Sequence, residues 1–396
     1  MDRRIFMLAL GMFALGTDNF VVAGILPSVA KSLDTTASLA GQMVTVYALS
    51  YAVMAPVMAA VAGEWPRKRL LVSALGLFVV GNVMTASANE LSTVLFSRAL
   101  AGLGAAMFAP TALGVASSLA SPERRGRALS MVTTGLAAAT ALGAPIGTLI
   151  GGSTSWRGTL WFVAILGLVS MLGLAAMLKD LPQPSRLGLL ARLAPVRDLR
   201  IALTLLTSLF AFGGFLMVYT YAGLVLSRVT KGDGGVLAGL LLLWGVASTA
   251  GNMLSGRLVD RFGSHPILRA GLVAAIANFL ILPWSSTSMA GAALALVVWG
   301  LCGWGLLVPQ QHRLVQTAPQ VAPLVLALNN MATYGGLACS AILGGFALLF
   351  LEGRYLGIVA AGLIAIALLL AEAARHCIEA RANVPSAGPA RLTGWA

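Results

Sequence analysis

Hydrophobic runs broken by short polar segments recur along this chain from residue 5 to about residue 375. A helix needs about 20 apolar residues to cross the hydrocarbon core of a bilayer, and each run approaches or exceeds that length. The breaks predict spans near 5–30, 40–63, 69–88, 91–118, 128–150 and 157–178. Six more fall near 201–226, 235–257, 267–284, 287–312, 322–347 and 353–375. The first segment begins basic and then apolar, as a signal peptide does. Its apolar run is long, lacks a small-x-small cleavage site near its end and is followed by many more, so it reads as a retained span. The pattern predicts an all-α integral membrane protein of twelve transmembrane helices. Residues 1–178 form a first six-helix bundle, 179–200 a polar linker, 201–375 a second six-helix bundle and 376–396 a loosely ordered tail.

Charge sharpens this picture. With the N-terminus placed in the cytoplasm, only Lys31, Arg157, Arg228, Lys231 and Arg354 fall on the far side, and Arg98 falls inside a span. The other 20 of the 26 Lys and Arg residues fall on the cytoplasmic side. That is a strong positive-inside bias, and a miscounted span would scramble it downstream. It predicts a multi-pass protein of the bacterial cytoplasmic (inner) membrane with both termini cytoplasmic. The formal net charge of +13 is therefore topology rather than a nucleic-acid footprint, because the charges lie between apolar runs and form no patch. Charged residues make up only 10% of the chain, far below a soluble domain. The two halves echo each other in AAVAGEWPRKRLL after the second span and SGRLVDRFGSHPIL after the eighth. Two similar bundles joined by a linker suit a machine that rocks about a central cavity, and one chain builds the whole pathway, so a monomer is expected.

Asp18 is the acidic residue in the middle of a span, within FALGTDNFVVAGILP. Holding a charge at that depth is costly, so the side chain must face a cavity or a partner. A carboxyl group that takes up and releases a proton there meets the requirement for proton coupling; the alternative is a structural Asp that pins the first helix. Arg98, in the fourth span, is the natural counterpart. Arginine keeps its proton and needs an anion, carbonyls or water, so it either pairs with Asp18 or bonds backbone carbonyls and snorkels toward an interface. Polar and aromatic residues in other spans are candidates to line a solute cavity: Asn19, Gln42, Thr45, Tyr47, Asn82, Trp244, Asn252, Trp299, Asn329 and Tyr334, with Asn278, Asn330 and Trp304 beside them. For any one of them, helix packing is the plainer reading. No second charged group is expected deep in the second half, which points to a neutral or weakly charged, partly apolar solute.

No enzyme signature competes: the chain has no HExxH, no Walker A sequence and no nucleophile elbow. His265, His312 and His376 read as loop or tail residues, and Cys302, Cys339 and Cys377 have no metal-ligand spacing. No cofactor and no metal are expected.

TDNFVVAGILPSVAKSL near the chain start, Gly256, Leu258, Asp260, Arg261 and Gly263 after the eighth span, Arg98, Gly102 and Gly104 in the fourth, and Gly135, Gly143, Pro145, Gly147 and Gly151 in the fifth together resemble the major facilitator superfamily over roughly residues 5–375. More narrowly they resemble its twelve-helix drug:proton antiporters, in the branch with arabinose-efflux-like and chloramphenicol-resistance permeases. The opening TDNFVVAGILPSVAKSL, followed by Ala40-Gly41, is typical of that branch. Gly256, Leu258, Asp260, Arg261 and Gly263 match the family loop G-x-L-x-D-R-x-G, and the resemblance implies that Asp260 and Arg261 serve a cytoplasmic gate. The alternative there is a plain solvated turn. The first-half copy is degraded around Glu64, Arg67, Lys68 and Arg69, where Glu64 would stand for the acidic gate residue. Arg98, Gly102 and Gly104 match R-x-x-x-G-x-G, whose Arg is linked to proton handling in relatives. Gly135, Gly143, Pro145, Gly147 and Gly151 approximate the antiporter motif of the fifth span, which implies a kinked hinge there and export rather than uptake.

The resulting expectation is a proton-coupled secondary transporter in the lipid bilayer, with protons and a small-molecule substrate as partners. It would export a hydrophobic drug such as a chloramphenicol-like compound. Sugar or metabolite efflux by the same fold, proton-coupled uptake and a non-transporting membrane receptor or scaffold are the rival expectations.

Overall fold

The computed structural model describes residues 2–61, 65–121, 124–179 and 192–382. Glu64, most of the linker and the last residues of the tail lie outside the described residues. Twelve long helices follow one another. α1 is Arg3–Ser32, α2 Ala37–Val61, α3 Arg67–Ser87, α4 Leu91–Leu119, α5 Arg125–Ser153 and α6 Trp156–Met177. α7 is Leu199–Thr220, α8 Gly234–Phe262, α9 Ser264–Ser285, α10 Met289–Thr317, α11 Ala322–Ala347 and α12 Leu356–Ala382.

Eleven of these stretches are long and apolar enough to cross a membrane. α11 is the twelfth long helix; Asn329, Asn330, Thr333 and Tyr334 lower its apolar content. Several helices outrun their apolar runs. α8 continues through the charged GRLVDRF segment to Phe262, and α10 continues through QQHRLVQT to Thr317. Helical hydrogen bonds persist there because the turns still pack on neighbours, while hydropathy alone marks an earlier stop. The seventh span ends earlier than the apolar run: α7 stops at Thr220, and two single turns, Ala222–Val225 and Ser227–Thr230, lead into α8.

Within the first six helices α3 packs on α4 and α6, and α1 on α5 and α6; within the second six α7 packs on α11 and α12, and α8 on α10. The two sets meet chiefly through α2 against α11 and α5 against α8. The helix ends near Arg3, Arg67, Arg261 and Arg313 form a basic end. At the opposite end and through the middle, one continuous apolar core joins both sets, from Phe20, Leu26 and Met43 to Trp244, Trp299 and Tyr221. Toward the basic end the core divides. Leu8, Tyr47, Phe78 and Phe108 belong to a cluster of the first set, and Ile201, Leu314 and Val325 to a separate one of the second. The bundles are thus fastened together away from the basic end.

Small residues bring α1 and α5 into backbone contact. A side chain added at Gly135 would strike the Ala9 carbonyl; at Gly143, Thr17; at Gly147, Val21; and at Gly151, Ile25. From the other helix, Gly16 lies against Leu136 and Ala139, and Gly24 against Thr148. Between lipid-exposed helices this close packing replaces the hydrophobic drive that water would supply. Residues Ala139–Gly143 form a π-helical turn, after which Ala144–Ser153 resumes the α-helix. The expected distortion near Pro145 is therefore an inserted wide turn just before the proline, where the freed backbone groups are re-bonded one residue further along. At the far end of α8, Gly263 has φ +83, a conformation that a side chain would strain.

Gly135→Ala should lower the melting temperature of the purified protein, at a cost of about 1–3 kcal/mol for overpacking against immovable backbone. Gly114→Ala, where an added methyl meets nothing within 4 Å, should leave it unchanged or slightly higher. Paired thermal melts in one detergent check both.

Candidate functional site

α1 places Asp18 at its middle and α4 places Arg98 beside it. Arg98 Nη1 donates to Asp18 Oδ1 at 2.7 Å. The two side chains are 0% and 1% exposed, so the pair sits in protein with no path for Arg98 to snorkel. A buried ion pair is held less by net attraction than by the cost of separating it, because either charge left alone would be uncompensated. Tyr47 of α2 closes the arginine from another side, its ring centroid 4.5 Å from the guanidinium carbon. Asn82 of α3 lies against the carboxyl group and donates to the Phe78 carbonyl at 3.0 Å. Asp18 Oδ2, Arg98 Nε and the Tyr47 hydroxyl have no partner among the described residues. The cluster is thus incompletely satisfied, and unpaired polar groups buried at low dielectric are costly.

Its register follows from glycine. Gly102 brings α4 onto the Tyr47 carbonyl of α2, and Gly104 brings it onto Phe78 of α3. Arg98, one helical turn before Gly102, is thereby aimed between α1 and α2. The second half repeats the device: Gly303 lies against Phe215 and Gly305 against Gly251. Four residues before Gly303 stands Trp299 instead of an arginine. Trp299 is 5.3 Å from Trp244 and 5.6 Å from Phe279 by ring centroids, and Tyr219 is 4.5 Å from Trp244. The first bundle has a charged centre and the second an aromatic one.

The two centres are linked across the bundle interface. Phe20, half a turn beyond Asp18 on α1, packs on Tyr219, Trp244 and Trp304 of the second bundle. The Tyr219 hydroxyl donates to the Phe20 carbonyl at 2.9 Å. Tyr51 of α2 stacks on Tyr334 of α11 with centroids 3.6 Å apart, and both tyrosines lie within electrostatic reach of Tyr47. Farther from the basic end, Ser38 donates to the Gly345 carbonyl at 2.8 Å and Gly245 presses on the Thr140 carbonyl.

The residues expected to line a cavity are thus distributed rather than gathered. Tyr47 and Asn82 flank the ion pair, Tyr334 belongs to the interfacial stack, and Trp244 and Trp299 are buried in the aromatic centre. Asn329 accepts from Ser208 at 2.7 Å, and Gln310 donates to Thr204 and Ser208 at 3.1 Å each. Asn252 donates to the Trp304 carbonyl at 3.2 Å. Gln42 bonds its own helix at the Ser38 carbonyl. The Asn19 carbonyl oxygen and the Thr45 hydroxyl are buried without partners. Thr17, Tyr51, Ser208, Tyr219 and Gln310 join these groups without having stood out in the sequence. A hydroxyl or aromatic in an apolar run carries no signal until its neighbour across the interface is known.

Of the residues assigned to a gate, Asp260 and Arg261 are exposed on the last turn of α8, with Arg261 over the Phe262 ring at 5.1 Å. Gly256 has open space around it. Arg67 begins α3 within electrostatic reach of Arg192, and Lys68 lines a cleft between α3 and α6. Gly143 and Gly147 lie in the packed α1–α5 seam, and Pro145 is buried just after the π turn. One expectation is corrected. Arg313, read from sequence as a basic-side loop residue, lies inside α10 at 5% exposure and donates to the Ala371 carbonyl at 3.0 Å. The second half therefore does bury a cation, because α10 extends past the end of its apolar run. His265, His312 and His376 likewise lie in helices α9, α10 and α12 rather than in loops.

A sequence profile of the Major Facilitator Superfamily matches residues 8–334. The uncharacterized MFS-type transporter YbcL of Bacillus subtilis is 30% identical over 342 residues, 86% of this chain and 88% of YbcL. The chloramphenicol resistance protein of Streptomyces lividans is 29% identical over 408 residues, 98% of this chain and 99% of that protein. Among solved structures, the nucleoside transporter NupG superposes with a TM-score of 0.75 over 94% of this chain and 98% of its own, at 14% identity; this is a likeness of fold.

Asp18→Asn and Arg98→Met should each destabilise the purified protein by about 3–5 kcal/mol, since each strands one buried partner. The Asp18→Leu/Arg98→Met double variant should melt above either single variant. Thermal melts of the three proteins check the ordering.

Proposed function

We propose, for a chain that belongs to the Major Facilitator Superfamily and is thereby a secondary transporter of small solutes, that it exports a partly apolar organic molecule in exchange for protons. The membrane is the bacterial inner membrane, with the basic end in the cytoplasm, as the charge asymmetry of the loops supports. The observation that carries the reading is the buried Asp18–Arg98 pair beside the bundle interface.

While Asp18 is charged it holds Arg98 between α1 and α2. A proton arriving at Asp18 removes that anion and leaves the guanidinium to find other acceptors. Its neighbour Tyr47 lies within reach of the Tyr51–Tyr334 stack, so a shift of Arg98 is felt where the bundles cross. Protonation thus biases one of two bundle arrangements over the other, which is what coupling requires. In the arrangement described here the bundles are fastened at the opposite end. Asp260 and Arg261 would close the basic end in the alternate one.

Solute class follows from the same surfaces. The aromatic centre around Trp244, Trp299 and Trp304 offers flat apolar contact. Asn82, Asn252 and Gln310 donate to protein acceptors, while the Asn19, Asn82 and Gln310 side-chain oxygens and the Asn329 amide nitrogen have no partner among the described residues, so the preference rests on the aromatic surface. A drug-like compound fits better than a sugar, and the likeness to the chloramphenicol resistance protein makes chloramphenicol the first candidate.

Reconstituted protein under an imposed pH gradient should drive uphill flux of such a compound. One proton per solute sustains about a tenfold solute gradient per pH unit. Asp18→Asn should abolish accumulation while leaving downhill exchange of the same compound. Accumulation by the variant equal to wild type would remove Asp18 from the coupling step. Screening chloramphenicol, cationic drugs and simple sugars in parallel separates drug from sugar export.

Alternating access predicts a second result. A disulfide joining Ser38→Cys to Gly345→Cys, whose native groups already touch, should hold the opposite end shut and stop transport. Reduction should restore it. Transport that continues through the oxidised protein would refute a rocking mechanism at this seam.

A further inference from the structure

The two halves repeat at an offset of 197 residues along two equivalent helix pairs, α3 on α6 and α9 on α12. The buried pair Leu71 and Leu75 corresponds to the buried pair Leu268 and Leu272. Arg157, over the Trp156 ring at 4.4 Å, corresponds to Arg354, over the Tyr355 ring at 4.6 Å. In this register Lys68, Val72 and Ala175 correspond to His265, Arg269 and Glu372.

The second half fills the seam between its two helices with its own charges. Glu372 lies 3.2 Å from His265 Nε2 and 3.7 Å from Arg269 Nε. The first half has alanine where that carboxylate stands. What remains is a cleft of ≈ 660 Å³ lined by Trp65, Pro66, Lys68, Arg69, Val72, Ser73 and Ala175. Among the described residues its lining holds two cations and no acid, and neither Lys68 nor Arg69 has an acidic partner.

We propose that this cleft binds the phosphate headgroup of an anionic phospholipid, which supplies the negative charge that Glu372 supplies in the other half. Its shape argues for a lipid over a free anion. Lys68 and Arg69 stand in the first turn of α3, at the basic end. Val72 and Ser73 carry the lining about 7 Å beyond the cations along α3 toward the apolar belt, Ala175 closes it from α6 at the basic end, and Ser73 is exposed. Trp65, exposed at the rim, is the aromatic type that settles at headgroup level. A charged head at the cations with its chain along Val72 and Ser73 satisfies both ends, as in basic interhelical pockets that take anionic headgroups.

The test is the lipid retained by the purified protein after mild extraction from phosphatidylcholine nanodiscs containing a minor share of phosphatidylglycerol. Native mass spectrometry reads the ratio. Wild type should carry phosphatidylglycerol enriched on the order of tenfold over the bulk mixture, the scale two interfacial cations give. Lys68→Gln/Arg69→Gln and Ala175→Glu should both return the ratio toward bulk. Glu372→Ala, which leaves the first-half cleft untouched, should raise retention by opening the matching cleft of the second half. A bulk ratio in wild type overturns the proposal, as does enrichment that survives in folded double-glutamine and Ala175→Glu proteins. If millimolar inorganic phosphate displaces the enriched lipid and alone raises the melting temperature equally, the site takes free anions and the lipid assignment falls.

Discussion

One ion pair constrains the rest of this structure. A carboxylate and a guanidinium placed in an apolar belt have no solvent to fall back on, so they must meet each other at hydrogen-bonding distance. For Asp18 and Arg98 to do so, α1 and α4 must lie at a fixed separation and rotation. The glycines accomplish this: Gly102 and Gly104 set α4 on α2 and α3, and the Gly16–Gly24 face sets α1 on α5. The small residues of the first bundle and its buried charge pair are parts of one arrangement. Bulk at the glycines would be resisted by backbone that cannot retreat, and loss of either charge would leave the other stranded.

The two bundles share a scaffold and differ in what they place at its centre. Each uses a Gly-x-Gly pair to draw its central helix inward. Arg98 precedes the first pair by one turn and Trp299 the second. A charged centre responds to a proton, whereas an aromatic centre offers broad, nearly featureless contact. On the proposed mechanism, segregating the two functions would avoid a direct conflict, since a solute would not have to displace the coupling proton from its own binding surface. The price is that the halves must communicate, and Phe20, Tyr219 and the Tyr51–Tyr334 stack lie between them.

The fold was legible because the bilayer imposes a coarse, repeated rule that hydropathy and Lys/Arg placement report directly. Asp18 and Arg98 were legible for the same reason, since a charge within an apolar run is a conspicuous exception. Helix ends were harder. The sequence places Arg313 just past a span ending near 312, yet it is buried inside α10 and its guanidinium donates to the Ala371 carbonyl of α12. The polar residues expected to line one cavity proved to serve several local networks, because a sequence gives their depth but not the face each one turns to its neighbours. The π-helical turn at Ala139–Gly143 left no trace in composition at all.

That turn sits where two constraints meet. Thr17, next to Asp18, packs against Gly143, and Gly245 of the other bundle presses on Thr140. A π turn carries one residue more than the α-helix around it, and such single-turn bulges are frequent at functional sites. On the proposed mechanism, passing its hydrogen bonds to α-type partners would let α5 change length and twist at this level. A rigid α-helix there would transmit motion of α8 straight into α1 and force the ion pair apart. On the proposed mechanism, a yielding turn between them would let α8 rock while Asp18 and Arg98 stay matched, until protonation of the carboxylate removed the reason for them to stay.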